Sequence, residues 1–279
     1  MLLVQYKKMT DMTVLINGEP GDQIASSDRG LQYGDGLFET IAIKNGECEH
    51  WYEHMSRLAD GCQRLNIRVP NAQQLLVEAQ QLCSDKALAV LKIIITRGNG
   101  GRGYRAPDRV EATRIISVHP WPSHPDENIT QGIRMHLCDT LLSYQPVLAG
   151  IKHLNRLEQI IARNEWNDPG VSEGLMSDID GNVVEGTMSN YFAVINKELV
   201  TPEILGCGVA GIMRSHIMAQ AILHGISVCE RKIKLDELYA ADELFICNSI
   251  IGVWPVRKLA DHSYKVAGEV TEQIMDGLI

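Results

Sequence analysis

The sequence has 279 residues, a hydrophobic fraction of 45% and a formal net charge of −9. This length suits one large domain or two modest ones, with enough apolar residues for a sizeable core. The acidic balance argues against a nucleic-acid partner or an anionic membrane surface. The seven scattered cysteines form no C-x-x-C pair, which is typical of buried thiols in a reducing compartment. Because there is no signal-peptide core or apolar run of membrane-spanning length, we expect a cytoplasmic protein.

The first part of the chain predicts a small α+β domain over residues 1–119. Residues 1–12 are expected to be a loose extension. The dipeptide Asn45-Gly46 lies between two strand-like runs, 37–43 and 47–51, and is a strong hairpin signal. Apolar spacing predicts helices over 54–65 and 72–83, and further strands over 13–16, 87–96 and 113–119.

A proline-rich stretch divides the chain. Three prolines within residues 119–125 predict an extended linker, which we place at 120–126. A larger domain is then expected over 127–279. Its predicted strands lie over 132–138, 227–231 and 243–247, with a β-meander over 174–200. Its predicted helices lie after Lys152, over 211–223 and, at the C-terminus, over 266–275. The apolar face of the helix after Lys152 consists of Leu154, Leu157, Ile160 and Ile161.

Lys152 is the most informative single residue. It follows the apolar run 148–151 and precedes the predicted helix. Burial disfavours the ammonium form of a lysine, and the positive end of a helix disfavours it again. A neutral lysine amine is a nucleophile toward aldehydes. The alternative is that Lys152 simply extends from a strand end to water.

The segment 98–103 satisfies the dinucleotide pattern G-x-G-x-x-G. That pattern needs a helix directly after it, and the residues that follow have no helical period. Arginines in the same segment resemble an RNA-binding tract, which the acidic composition disfavours. We interpret the segment as a flexible loop that brings Arg97 and Arg102 to a carboxylate ligand, with a solvated surface loop as the alternative.

Two further features indicate a bound cofactor. Glu185 alternates with apolar neighbours and is expected to face a pocket, where a buried carboxylate needs a cationic partner. Taken alone, a salt bridge at a strand end explains it better. The helix predicted from Gly211 offers free backbone N–H groups to a phosphate, although an ordinary glycine cap would look the same. An aldehyde, a pyridine and a phosphate together describe pyridoxal 5′-phosphate. The nine histidines have no metal-binding spacing, so no metal is expected.

The pattern Glu185-x-Thr187-x-x-Asn190, followed by residues 209–214, resembles the signature of the class IV pyridoxal-phosphate-dependent aminotransferases and lyases. Segments 28–40 and 54–58 resemble the first active-site segment and the phosphate-contacting arginine element of that family. The resemblance implies a mixed α/β (α+β) fold of type IV in two domains, the second larger and rich in β-structure, and a homodimer. It also implies that Lys152 bonds the cofactor aldehyde, that Glu185 pairs with the pyridine nitrogen, and that the phosphate is held by Arg57, Gly211, Ile212, Met213 and Ser249.

Residues 95–104 and 148–158 resemble those family members that split 4-amino-4-deoxychorismate into 4-aminobenzoate and pyruvate in folate biosynthesis. This implies a small dicarboxylate substrate, with Lys152 and Thr40 as catalytic residues and Tyr33, Arg97 and Arg102 as substrate-binding residues. One alternative is an aminotransferase of the same fold that acts on branched-chain or D-amino acids. Another is a pyridoxal-phosphate-binding protein without turnover.

Overall fold

The computed structural model describes residues 13–278, so the expected extension at 1–12 lies outside the described residues. The chain divides into two compact units. The first holds the described chain as far as Pro122 together with Lys152–Asn155, and the second holds Ser123–Ile151 and the chain from Arg156 onward. The division after Pro122 falls within the linker predicted at 120–126. Among the described helices, none has the length and apolar character needed to cross a bilayer.

The first unit is built around one antiparallel sheet. Its elements are β1 (Val14–Ile16), β2 (Glu19–Pro20), α1 (Arg29–Tyr33), β3 (Gly36–Lys44), β4 (Glu47–Cys48), α2 (Trp51–Arg64), α3 (Ala72–Cys83), β5 (Leu88–Thr96) and β6 (Thr113–Pro120). The six strands lie in the order β2-β1-β6-β5-β3-β4. Fully buried side chains of β3 and β5, including Ile41, Leu91 and Ile93, form its core.

The predicted hairpin at Asn45-Gly46 is confirmed. Both residues have positive φ, 51° and 82°, as the two central positions of a type I′ turn require. Its second strand was predicted to reach Trp51 but ends at Cys48, because Trp51 is the first residue of α2. The helix over 72–83 is confirmed at both ends, and Asn71 caps it by accepting a hydrogen bond from the Gln74 N–H.

The second unit is larger and contains the remaining elements. They are α4 (Glu127–Thr130), β7 (Ile133–Leu137), α5 (Leu157–Arg163), β8 (Val171–Ser177), β9 (Val183–Gly186), β10 (Asn190–Ile195), β11 (Glu198–Pro202), α6 (Ile212–Leu223), β12 (Val228–Arg231), α7 (Leu235–Tyr239), β13 (Glu243–Asn248), β14 (Gly252–Leu259), β15 (His262–Ser263) and α8 (Glu269–Gly277). Its mixed sheet has the order β12-β11-β10-β13-β14-β7-β8-β9, and β15 pairs with β14. The predicted α+β class is confirmed.

The predicted meander over 174–200 is wrong at its centre. Strands β8 and β9 pair, and so do β10 and β11, but β9 and β10 are not neighbours in the sheet. The turn between them folds around the buried carboxylate of Glu173, which accepts hydrogen bonds from the Thr187 hydroxyl at 2.5 Å and the Ser189 hydroxyl at 2.7 Å. Those bonds replace the ladder bonds that a hairpin would have made.

The predicted helix after Lys152 exists, but its apolar face is not buried. Leu157, Ile160 and Ile161 of α5 are 71%, 55% and 56% exposed. Within α5 the buried residue is Ala162, which belongs to a small core cluster that also contains Trp166 and Met176. The apolar stripe of α5 is therefore a surface of this chain.

Candidate active site

Glu185 is a buried carboxylate within β9. Its Oε2 accepts a hydrogen bond from the Val209 backbone N–H at 2.8 Å. The guanidinium of Arg156, which is half-buried, interacts electrostatically with Glu185. Burial lowers the pKa of Arg156, and the charges of Glu185 and Glu158 oppose that shift. Glu185 is not the last residue of its strand, since Gly186 follows it in β9.

The chain that passes Glu185 leads into the start of α6. Gly208 has φ of +86°, which favours glycine. Gly211 is the N-cap of α6 and makes no side-chain cap bond, so the first backbone N–H groups of this 12-residue helix have no side-chain acceptor from the cap. A Cβ on Gly211 would lie 2.0 Å from Asn190 Oδ1. Asn190 in turn donates from Nδ2 to the Val209 carbonyl at 2.9 Å.

The segment before Lys152 pairs with this same turn in the second unit. The Gly150 N–H donates to the Gly208 carbonyl at 2.9 Å, and the Ala210 N–H donates to the Gly150 carbonyl at 3.1 Å. Ile151, the next residue, is fully buried. Within the second unit, backbone bonds therefore hold Gly150 to the turn that carries Val209, the hydrogen-bond donor to Glu185.

Lys152 itself belongs to the first unit and is attached to β3. Its carbonyl accepts a hydrogen bond from the Phe38 N–H at 2.9 Å, and its Nζ lies 4.6 Å from the centroid of the Phe38 ring. The helix predicted after Lys152 begins only at Leu157, because residues 152–154 pair with the start of β3. Because Lys152 is not at the start of α5, the helix dipole does not account for a neutral amine at this lysine. The structure instead places its Nζ against the Phe38 ring.

Thr40 and Glu39 follow Phe38 along β3 and face opposite sides of the sheet. Thr40 shares the face of Phe38 and lies opposite Lys92 on β5. Glu39 is buried and binds Arg57 of α2, with Arg57 Nε donating to Oε1 at 2.9 Å and Nη2 donating to Oε2 at 2.5 Å. Arg57, a residue expected to hold phosphate, is thus tied to a carboxylate that sequence reasoning did not single out.

The candidate substrate residues of the first unit lie in or near the loop over 98–103, called here the glycine-rich loop. As expected, no helix follows the loop between Arg97 and Ala112. Arg97 forms an ion pair with Asp35, while Arg102 is exposed. The ring of Tyr33, at the end of α1, makes an edge contact with that of Tyr104, with centroids 5.7 Å apart.

Ser249 lies in the turn between β13 and β14 of the second unit and is half-buried. The neighbouring Asn248 shapes that turn, since its Oδ1 accepts from the N–H groups of Ile250 and Ile251 at 2.8 and 2.9 Å. Sequence reasoning missed this role of Asn248, and it missed Asp35, Arg29 and Glu173 as well. Each is a buried or half-buried polar residue whose role is revealed only by its hydrogen-bond partners in the structure.

Taken unit by unit, these groups fit the chemistry of pyridoxal 5′-phosphate. The second unit offers an anionic side chain, Glu185, for a protonated pyridine nitrogen and the start of α6 for a phosphate. The first unit offers a lysine against an aromatic ring and a guanidinium, Arg57, for an anion.

Comparison with known proteins places the chain in a family. The model of the family described as amino-transferase class IV matches residues 36–259. An aminodeoxychorismate lyase of Vibrio harveyi is 35% identical over 267 residues, which span 94% of this chain and 98% of the relative. The crystal structure of 4-amino-4-deoxychorismate lyase from Pseudomonas aeruginosa has a TM-score of 0.92 and 44% identity, covering 95% of this chain and 97% of that one.

An aminotransferase is also similar. A putative branched-chain-amino-acid aminotransferase of Methanocaldococcus jannaschii is 31% identical over 278 residues, covering 95% of this chain and 94% of its own. These likenesses extend over both units, so they concern the whole described fold.

Proposed function

Because this chain belongs to the amino-transferase class IV family, we propose that it is a pyridoxal-phosphate-dependent lyase that converts 4-amino-4-deoxychorismate to 4-aminobenzoate and pyruvate, a step of folate biosynthesis. The observation that carries the proposal is the similarity to two lyases of that name over more than nine-tenths of the chain. The one aminotransferase described above has a lower identity than either of them.

We assign the cofactor contacts to the following residues. Glu185 would keep the pyridine nitrogen protonated, since the carboxylate is buried and already receives one backbone N–H. The backbone of Gly211, Ile212 and Met213 would hold the phosphate, assisted by Arg57 and Ser249. When bound, the cofactor supplies a pyridine ring that accepts electrons from the carbon bearing the substrate amine.

We assign the proton transfers to Lys152. Its amine would hold the cofactor, be displaced by the substrate amine, remove the proton from the amine-bearing carbon and return a proton to the departing enolpyruvyl group. The products together contain all the atoms of the substrate, so no oxidant or water is needed. The Thr40 hydroxyl, on the same face of β3 as Phe38, would assist these transfers.

We propose that the loop after β5 contacts the substrate carboxylates. Arg102 is exposed and its guanidinium suits a carboxylate. Tyr33 and Arg97 would complete the substrate contacts. Arg97 already has acceptors within the chain, so a direct contact with the substrate requires it to exchange one of them.

We further propose a homodimer in the cytoplasm. The exposed apolar stripe of α5 supports a second copy of the chain as its occupant, since three large aliphatic side chains lie on one face. All seven cysteines are free thiols, which suits a reducing compartment. Light scattering would report the mass, and Ile161→Glu should shift it from dimer toward monomer.

The test of the proposed activity is a comparison of two reactions in one preparation. The enzyme is given 4-amino-4-deoxychorismate, and 4-aminobenzoate and pyruvate are measured together. It is also given branched-chain and D-amino acids with a 2-oxo acid as amino acceptor. Equal amounts of the two lyase products, at a rate well above amino transfer, support the proposal. Amino transfer far faster than cleavage would replace it with the aminotransferase alternative.

A further inference from the structure

We propose that Glu39 is a positioning residue for the cofactor phosphate, acting by fixing the guanidinium of Arg57. This inference depends on the proposed function, because Arg57 is assigned to the phosphate there. Glu39 does not contact the cofactor in this proposal. Glu39 fixes the orientation of the Arg57 guanidinium and neutralises its positive charge before the phosphate binds.

The geometry links β3 to α2 through one carboxylate. Glu39 and Arg57 side chains are 1% and 11% exposed. Arg57 donates from Nε and Nη2 to the two different oxygens of Glu39, so the planar guanidinium is held in one orientation. A third bond, 2.7 Å long, joins Glu39 Oε2 to His54 Nδ1, which is one helical turn before Arg57 on α2.

The carboxylate is ionised in this environment. Burial acts to raise the pKa of Glu39, but the charge of Arg57 and the hydrogen bonds from His54 and Arg57 outweigh it and hold the pKa below its usual range. A buried arginine without such a partner would pay a large desolvation cost. The Glu39 carboxylate therefore stabilises the charged guanidinium of Arg57 in its mostly buried position before a phosphate binds.

Pre-orientation lowers the entropic cost of binding. A free arginine side chain loses rotamer freedom when it binds an anion, and that loss subtracts from affinity. Here two hydrogen bonds to Glu39 have already fixed the side chain. Removing the charge on Glu39 should therefore weaken phosphate binding even though Glu39 is not a ligand.

The experiment compares Glu39→Gln with Glu78→Gln in apoenzyme titrated with pyridoxal 5′-phosphate. Glu78 is a matched control, since it is also buried, lies in the same unit and pairs with an arginine, with Arg114 Nη2 donating at 2.8 Å. Cofactor affinity is followed by absorbance, and thermal unfolding of each apoprotein is measured. We expect Glu39→Gln to raise the dissociation constant roughly ten- to a hundredfold, the scale of a charge-assisted hydrogen bond. Glu78→Gln should lower stability only.

Two further variants keep the result decisive. Glu39→Asp retains the charge, so it should recover part of the affinity, and it replaces the glutamine variant if that one does not fold. In the double variant Glu39→Gln/Arg57→Ala, the two effects should not add. An unchanged dissociation constant in Glu39→Gln, or equal weakening by Glu78→Gln, would overturn the proposal. If Arg57→Ala alone leaves the affinity unchanged, the failure lies in the assignment of Arg57 to the phosphate.

Discussion

Asp35 binds the guanidinium of Arg97 through both of its carboxylate oxygens, with Nε donating to Oδ2 at 2.6 Å and Nη2 donating to Oδ1 at 2.9 Å. Arg97 also donates to the carbonyls of Leu65 and Asn66 at 2.6 and 2.8 Å. Arg97, which precedes the glycine-rich loop, is thus hydrogen-bonded to the segment before β3 and to the segment that follows α2.

The same carboxylate also binds Arg29, whose Nε donates to Asp35 Oδ2 at 2.9 Å. Arg29 is buried and donates to the carbonyls of Gly103 and Tyr104, at 2.9 and 2.8 Å. Asp35 therefore connects the two arginines that hold the two ends of the loop, while Arg102 between them remains exposed. This contrast separates the expected effects of the two substitutions below.

Arg97→Ala and Arg102→Ala should differ. We expect Arg102→Ala to raise the KM for the lyase reaction by about tenfold, as for a lost charge-assisted contact, with an unchanged cofactor spectrum and melting temperature. Arg97→Ala should also lower the melting temperature, because it leaves Asp35 and two carbonyls with fewer donors. Steady-state kinetics measures the KM of each variant, and thermal unfolding measures its melting temperature. Parental kinetics in Arg102→Ala would identify the loop tip as solvated surface.

Stability should depend on pH through Asp35. Burial acts to raise the pKa of Asp35, but the hydrogen bonds and charges of Arg97 and Arg29 outweigh it and lower the pKa. A carboxylate with a lower pKa in the folded state stabilises the fold fully above its unfolded value, near pH 4, and loses that contribution as pH falls through the folded pKa. The free energy of unfolding should therefore decline below about pH 4. Denaturant unfolding across this range should give a shallower decline for Asp35→Asn, and an equal slope would contradict the account.

Glu185→Gln tests the assignment of the pyridine partner. The amide keeps the size of the side chain and can still accept the Val209 N–H, but it cannot stabilise a protonated nitrogen. We expect the variant to bind cofactor and to lose most turnover, on the order of a hundredfold or more. The absorbance spectrum and kcat are measured on the same samples. Near-parental turnover would show that protonation of the nitrogen is held elsewhere or is not needed.

Gly211→Ala tests the phosphate site. The added Cβ would lie 2.0 Å from Asn190 Oδ1, so Asn190 must move and give up its bond to the Val209 carbonyl. We expect cofactor affinity to fall by about tenfold, the scale of an overpacked position. Gly101→Ala is the control, because a Cβ there meets nothing within 4 Å. Equal affinity in both variants would argue against a phosphate at the start of α6.

Local sequence signals predicted much of the fold. The Asn45-Gly46 turn and α3 each depend on residues close in sequence, and both were predicted. The strand β14 was not, since Pro255 interrupts a pattern whose pairing with β13 and β7 is long-range. The turn after Glu185 was mistaken for part of a meander because the Glu173 carboxylate that organises it lies 14 residues before Thr187.

The sequence analysis identified candidate residues of the site, but it did not predict which side chains contact one another. Lys152 and Glu185 stood out because charged side chains in apolar segments are unusual. The helix after Lys152 begins later than predicted because residues 152–154 pair with β3, a contact between segments more than one hundred residues apart. The carboxylate partners of Arg57 and Arg97 lie 18 and 62 residues away, so no local pattern indicated them.

The most direct test of the account is the identity of the lysine that bonds the cofactor. The purified protein is incubated with pyridoxal 5′-phosphate, reduced with borohydride and digested, and the labelled peptide is sequenced by mass spectrometry. Lys92 provides an internal comparison, because its Nζ lies 5.5 Å from the same Phe38 ring that Lys152 approaches at 4.6 Å. The account predicts label on Lys152, none on Lys92, and loss of lyase turnover in Lys152→Ala but not in Lys92→Ala. Label on another lysine, or turnover retained without Lys152, would contradict it.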